Sequence, residues 1–385
     1  MNGLLLFHLN LDFSSIELRQ HRLVIKNCYY PLLNLVRSTN TNISIELSGR
    51  TLERINAIDQ YFIKDLKTLI NDGKVEIVGS SYVQSIGPLF PNDLNALNLK
   101  EGQNTYSKIL GVEPKIALIS EMALSQSLID IYLEAGFKTI IMDIDNISES
   151  SNISKNNLYK YGDIQSSYST MKIKIIWSDS IMFQKFQRYI HGDLSLNDYL
   201  SFIKKIISKK INLYLPIYSN DAEIFNFRPG RFDQEAKIEC DEWSKIVDLI
   251  EVLKSQLNLT FKNPSYLSNI KKFKLDKKVV TLKTLNQISS AKYPVPVKKQ
   301  KKYNINRWAV TGRDDQFLNT MSYRILNAMN QNLIPQNNKN IRFLLKNSAS
   351  DLRTHITHSR WESHMKELNF FLKKYKIFPK TKIVN

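Results

Sequence analysis

The sequence predicts an α/β fold, with a parallel sheet closed or nearly closed into a barrel and a helical region after it. Three observations carry this. Seven short apolar runs lie between residues 3 and 219, each the length of a buried strand. Amphipathic helical patterns fall between them, the alternation that builds parallel sheets. After about residue 265 the strand signals fade and helical periods take over.

In order, the runs are "GLLLFHLN" (3–10), "NISIELS" (42–48), "KVEIVGS" (74–80), "KIALIS" (115–120), "TIIMD" (139–143), "IKIIWS" (173–178) and "LYLPIYS" (213–219). Near-continuous apolar character is expected of strands covered on both faces. The stretch "RTLERINAIDQYFIKDLKTLINDG" carries Leu52, Ile55, Ile58, Phe62, Leu66 and Leu69 at helical spacing and ends at Gly73. "QSLIDIYLEAGF" ends the same way at Gly136, and glycine is the usual left-handed cap. The segment from Pro264 to Trp308 is basic and weakly periodic, with Pro294 and Pro296 marking extended chain. Helical patterns follow over 314–331, 339–357 and 360–376. The expected division is a barrel over 1–275 and a mainly helical domain over 276–385.

The bulk numbers exclude several classes. The chain has 385 residues, 43 % hydrophobic and 10 % aromatic, enough for a large core. Two cysteines, Cys28 and Cys240, rule out a disulfide framework and fit a reducing compartment. The start "MNGLLLFHLNLDF" lacks the basic region of a signal peptide. No run reaches the ~18 apolar residues of a membrane span, so a cytoplasmic location is expected. The net charge is +18, from 54 basic and 36 acidic residues. The lysines are scattered and accompany no RNA- or DNA-binding signature, so no specific nucleic-acid partner is expected.

In a parallel barrel, chemistry sits at the C-terminal ends of the strands. The residues there are His8, Asn10 and Asp12; Gly79, Ser80, Ser81 and Tyr82; Ser120 and Glu121; Asp143 and Asp145; Trp177 and Asp179; and Asp221 with Glu223. Acids and rings on one rim fit carbohydrate chemistry, which needs carboxylates for proton traffic and aromatic faces for sugar C–H surfaces. Each has a plainer reading. Glu121 could favour a helix N-terminus. Asp221 could close an Asx turn. His8 could be a satisfied core histidine.

Four motifs follow one another along the chain. "FHLNLD" places His8 at the end of the first strand, with Asn10 two residues on. "VEIVGSSYVQSI" carries Gly79 and Tyr82 after the third. "LISEMALSQ" puts Glu121 after the fourth, and "NDAEIFNF" sets Asp221, Glu223 and Phe225 as Asp-x-Glu-x-Phe. A fifth, "RWAVTGRDDQF", offers Asp314 or Asp315. Through most of its length the sequence resembles glycoside hydrolase family 57. It departs at Asn10, where the family has a second histidine before Gln-Pro, and at Ile119, where tryptophan is frequent.

The resemblance implies an incomplete TIM-like (β/α)7 barrel with a helical domain closing over the cleft. It implies retaining chemistry on α-linked glucans, by hydrolysis or transfer. Glu121 would be the nucleophile and Asp221 the acid/base, their carboxyls roughly 5–5.5 Å apart. Ionised Glu121 would then hold the proton on Asp221 to higher pH. The substrate-binding candidates are His8, Asn10, Asp12, Tyr82, Trp177, Glu223, Arg228, Trp308, Asp314 and Asp315, with Trp177, Tyr82 and Trp308 as stacking rings or plain core aromatics. Arg228 and Arg231 would suit an anionic group on an oligosaccharide or polysaccharide.

No cofactor and no metal set are expected. Six histidines occur, and only His8 and His191 fall near strand ends. His355, His358 and His364 lie together in "THITHSRWESH". A metal-dependent deacetylase or α-mannosidase, and a glycan-binding protein without turnover, are the rival readings.

Overall fold

The computed structural model describes residues 1–209, 213–229, 238, 240–275, 278–297, 304–354 and 356–377. Twelve strands are present among them: β1 (Asn2–Leu9), β2 (Ile43–Leu47), β3 (Val75–Val78), β4 (Ile116–Leu118), β5 (Thr139–Asp143), β6 (Tyr161–Gln165), β7 (Lys172–Ser178), β8 (Leu215–Asp221), β9 (Thr260–Phe261), β10 (Lys272–Leu275), β11 (Lys278–Thr281) and β12 (Lys283–Leu285). All seven expected strands form.

One sheet runs β3-β2-β1-β8, every pair parallel, with β9 also against β1. A second runs β12-β6-β7-β5-β4, parallel except for β6 against β7. A parallel bridge between Gly79 and Ala117 joins the edges β3 and β4. A Cβ on Gly79 would lie 2.8 Å from the Phe137 ring, so the junction needs a glycine. The order β8-β1-β2-β3-β4-β5-β7 follows, with no ladder between β7 and β8 among the described residues.

Tyr214 fills that seam. Its hydroxyl accepts from the Trp177 N–H at 2.6 Å and donates to the Trp177 carbonyl at 3.1 Å. Both residues are buried. Tyr214→Phe strands two buried backbone groups, so chemical denaturation should show a loss of about 1–3 kcal/mol. An unchanged midpoint would mean the seam does not depend on this bridge.

Two expected helices differ. The pattern over 50–73 divides into Gly49–Ile58 and Gln60–Asn71. Asp59, in extended backbone, breaks it, and its carboxylate accepts from Phe62 N–H at 3.0 Å. Local side-chain capping here outcompetes the continuous ladder. The pattern over 339–357 ends at Asn347, within the helix Asn338–Asn347. There the Ser350 N–H donates to the Gln84 carbonyl at 2.7 Å, and Ala349 bridges Ser85. Pairing with the loop after β3 pulls the chain out of the helix into the turn Ser350–Arg353. The other two helices, Asp315–Asn330 and His358–Lys374, form as expected.

Strand signal continues past residue 265 in β10, β11 and β12, and β12 joins the second sheet beyond residue 275. The helical region docks through one apolar cluster. Tyr82, Val83, Phe90 and Leu94 from the strand side pack with Leu318, Ile325, Leu344 and Leu368. No helix among the described residues is long and apolar enough to cross a membrane.

Candidate active site

Parallel pairing places three polar side chains in one row. His8 on β1 is in register with Glu46 on β2 and with Asp221 on β8. Residues in register across parallel strands point to the same face. His8 Nδ1 lies 3.9 Å from Asp221 Oδ1. Asp221 stands at the start of the short turn Ala222–Ile224, but its side chain does not cap it. The Asx-turn reading therefore loses its hydrogen bond.

Glu46 is absent from the sequence-level candidates, and it is fully buried. Burial pushes its carboxyl up to about 7; Ser80 and Gln84 pull it down and the Asp221 charge adds to the rise. A raised carboxyl contributes stability that is fully present below its ordinary value and is lost as pH rises through the folded one. Stability should thus fall between about pH 5 and pH 7, by up to about 1.4 kcal/mol per unit for this proton. Glu46→Gln should flatten that slope in denaturation curves taken across the range. A slope unchanged by the substitution would show that Glu46 is ionised throughout.

Glu223, also fully buried, fastens two loops. Its Oε1 accepts from the Tyr29 hydroxyl and, at 2.7 Å, from the Asn10 N–H. Burial, and then the Asp221 charge, hold Glu223 well above the usual carboxylate range. With both donors on Oε1, a proton on Oε2 fits this arrangement. These contacts tie the turn after β8 to the loop after β1 and to the helical segment carrying Tyr29.

Asn10 links this row to the helical region. Its side-chain amide donates to Asp351 Oδ1 at 3.3 Å and lies 3.5 Å from Gln84 Oε1. Asp351 is raised to about 8 by burial first and by the Asp12 charge next; Arg360 opposes, and Glu121 adds to the rise. It sits in the turn Ser350–Arg353, where the expected helix breaks. No motif in the sequence points to it.

Glu121 follows β4 in the three-residue turn Ser120–Met122. Both Glu121 and Met122 are left-handed, with φ of 51° and 52°. That conformation costs non-glycine residues about 1–3 kcal/mol each and clusters at functional sites. A turn this short also has little dipole to stabilise, which weakens the helix-terminus reading.

Other candidates are corrected. Arg228 is 2 % exposed, and its guanidinium forms a two-pronged pair with Glu242, with Nη1 2.9 Å from Oε2. It holds the loop after β8 instead of facing substrate. Tyr82, Trp177 and Trp308 are buried in apolar clusters, so none presents a ring face to a sugar. Tyr82 donates to Glu53 at 2.9 Å, and Trp177 Nε1 donates to the Tyr161 carbonyl at 3.3 Å. Asp315 is fully buried and raised to about 6 by burial, with Arg353 and Arg307 opposing. Asp314 is exposed at the start of the helix Asp315–Asn330. The helical-region acid that meets Asn10 is Asp351, not either of these.

Asp143 and Asp179 cap the helices that follow their strands. Asp145 and Asp179 share Lys155 at 2.7 and 3.0 Å. Asp12 is held by Arg50 and Arg54. His191 lies 4.0 Å from Glu242, and His364 bonds Asn347 at 2.9 Å. Arg231 and His355 lie outside the described residues. Among the described residues no group of three or more His, Cys, Asp or Glu could hold a metal ion.

The strand ends thus carry a row of polar side chains, His8, Glu46 and Asp221, with the helical region apposed through Asn10 and Asp351. The model of glycosyl hydrolase family 57 matches residues 6–279, and the chain belongs to that family. A curated relative from Methanocaldococcus jannaschii, described as "Putative alpha-amylase", is 23 % identical over 247 residues, 59 % of this chain and 51 % of its own length. The 4-alpha-glucanotransferase of Thermococcus litoralis superposes with a TM-score of 0.66 at 16 % identity, over 92 % of this chain and 56 % of that one. The GH57-type branching enzyme of Pyrococcus horikoshii also gives 0.66, at 13 % identity over 96 % and 88 %. These likenesses establish the fold. The chain spans about half the length of the curated relative and of the glucanotransferase.

Proposed function

We propose that this chain is a retaining enzyme acting on α-linked glycans, by hydrolysis or transfer, at the mouth of an incomplete (β/α)7 barrel. Glu121 attacks the anomeric carbon and forms a glycosyl-enzyme. Asp221 protonates the leaving oxygen, then activates water or an acceptor hydroxyl. His8 lies beside Asp221, and the buried carboxyls of Glu46 and Glu223 flank it. Asn10 ties the strand ends to Asp351, so the region beyond about residue 275 acts as a cover for the cleft.

The observation that carries this reading is the consecutive left-handed pair Glu121–Met122 directly after β4. Backbone strain of this kind clusters at functional sites, and here it falls on the carboxylate at a strand end while Met122 packs into the core. A screen of α-linked oligosaccharides, read by mass with Glu121→Gln as control, tests it. New products from the wild type alone are expected. Equal products from both proteins would remove Glu121 from the chemistry.

A further inference from the structure

A cavity of about 360 Å³ opens beside the strand ends, between the loop after β1 and the helical region. Five cationic side chains line it, Arg19, Arg50, Arg54, Arg360 and Lys346, against the carboxylates of Asp12 and Glu17. Asp351 also lines it, raised to about 8 by burial and the Asp12 charge, and so protonated near neutral pH.

The charges inside are unbalanced. Arg50 Nε is 2.6 Å and Arg54 Nε 3.1 Å from Asp12, with Arg360 at 3.9 Å. One carboxylate thus serves three guanidiniums. Arg360 is occupied by the carbonyls of Asp12, Phe13 and Ile16. The terminal amino groups of Arg50 and Arg54 donate no hydrogen bond among the described residues. Lys346 pairs with Glu367. His364 is 2 % exposed, and its Nε2 donates to Asn347 Oδ1 at 2.9 Å. Burial and the neighbouring cations depress Arg54, Lys346 and His364 together. An anion placed among them would relieve this repulsion and accept from the unused donors.

We propose that this cavity is an oxyanion subsite, taking a phosphate ester or uronate carboxylate carried by the glycan. The proposal rests on the reading of the adjoining strand ends as a glycan site. The two are physically joined. Gln84 and Asp351 line the cavity, and both face the Asn10 amide. Asp351 also lies within reach of the Glu121 charge. A sugar at Glu121 would therefore carry its charged substituent toward Arg54.

Titration of the full chain with inorganic phosphate, followed by calorimetry, tests the site directly. Binding is expected, and Arg54→Gln should weaken it about 10- to 100-fold, the range for a lost hydrogen bond to a charged group. Arg19→Gln, at an exposed rim position, should weaken it less in the same direction, and serves if the first variant fails to fold. Equal binding by both variants and the wild type, or no binding at all, overturns the proposal.

Turnover identifies the source of the anion. Neutral, phosphorylated and uronate-bearing α-linked oligosaccharides are compared by kcat/KM. One charged form should exceed the neutral one, and Arg54→Gln should abolish the advantage. No preference for either charged form overturns the subsite. Phosphate binding that depends on Arg54, with no turnover of any sugar, would instead overturn the catalytic reading and leave the anion site standing.

Discussion

Glu121→Gln is expected to lower kcat by at least about 10³-fold, with the fold intact. Gln keeps the shape of the side chain and can occupy the same half-buried place after β4. It cannot supply a carboxylate to the anomeric carbon. The unfolding midpoint should stay within about 0.5 kcal/mol of the wild type, as for substitutions that create no cavity and bury no new charge. The two readouts together separate the readings. A carboxylate that only favours a helix terminus would cost about 0.3–1 kcal/mol of stability and leave turnover unchanged. Any glycan that the wild type converts serves as substrate, and the same batch of protein gives both measurements.

Arg228→Ala should destabilise the fold more than either Tyr214→Phe or Glu121→Gln, by about 3–5 kcal/mol. Arg228 and Glu242 are both almost fully enclosed, at 2 % and 3 % side-chain exposure. Glu242 stands in the first turn of the helix Glu242–Leu257, and it also accepts from the Asn226 N–H at 2.7 Å. Removing the guanidinium leaves its carboxylate in a low-dielectric site with a lost partner, which is where the cost arises. Activity per folded molecule should fall less than the yield of folded protein. Had Arg228 faced substrate, the opposite split would appear, with KM rising at unchanged stability. Denaturation curves together with active-site titration distinguish these cases.

Much of the fold and part of the site were legible in the sequence because strand ends follow simple rules. Apolar runs bounded by polar residues placed seven strands, and the residues after them placed Glu121, His8 and Asp221. Glu46 was equally visible in "NISIELS". Ser44 and Glu46 alternate within an apolar run, and both are fully buried. Its place inside the strand, short of the end, set Glu46 apart from the rim residues. Asp351 was not legible. Its position depends on Ser350 and Ala349 pairing with Gln84 and Ser85, about 265 residues away in sequence, and no local pattern encodes that contact. Arg228 misled for the reverse reason. A charged residue near two acids reads as a substrate contact until its partner Glu242, on a later helix, is known. Tyr82, Trp177 and Trp308 followed the commoner fate of large aromatics, which is burial.

Covalent chemistry at Glu121 is tested most directly by trapping the glycosyl-enzyme. An α-glycosyl fluoride substituted to slow deglycosylation would be incubated with the full chain, followed by intact mass and peptide mapping. A nucleophilic Glu121 predicts one added glycosyl unit, carried on the peptide containing that residue, and products of retained anomeric configuration from turning-over substrate. An adduct on another carboxylate, or inverted products with no adduct, would contradict it.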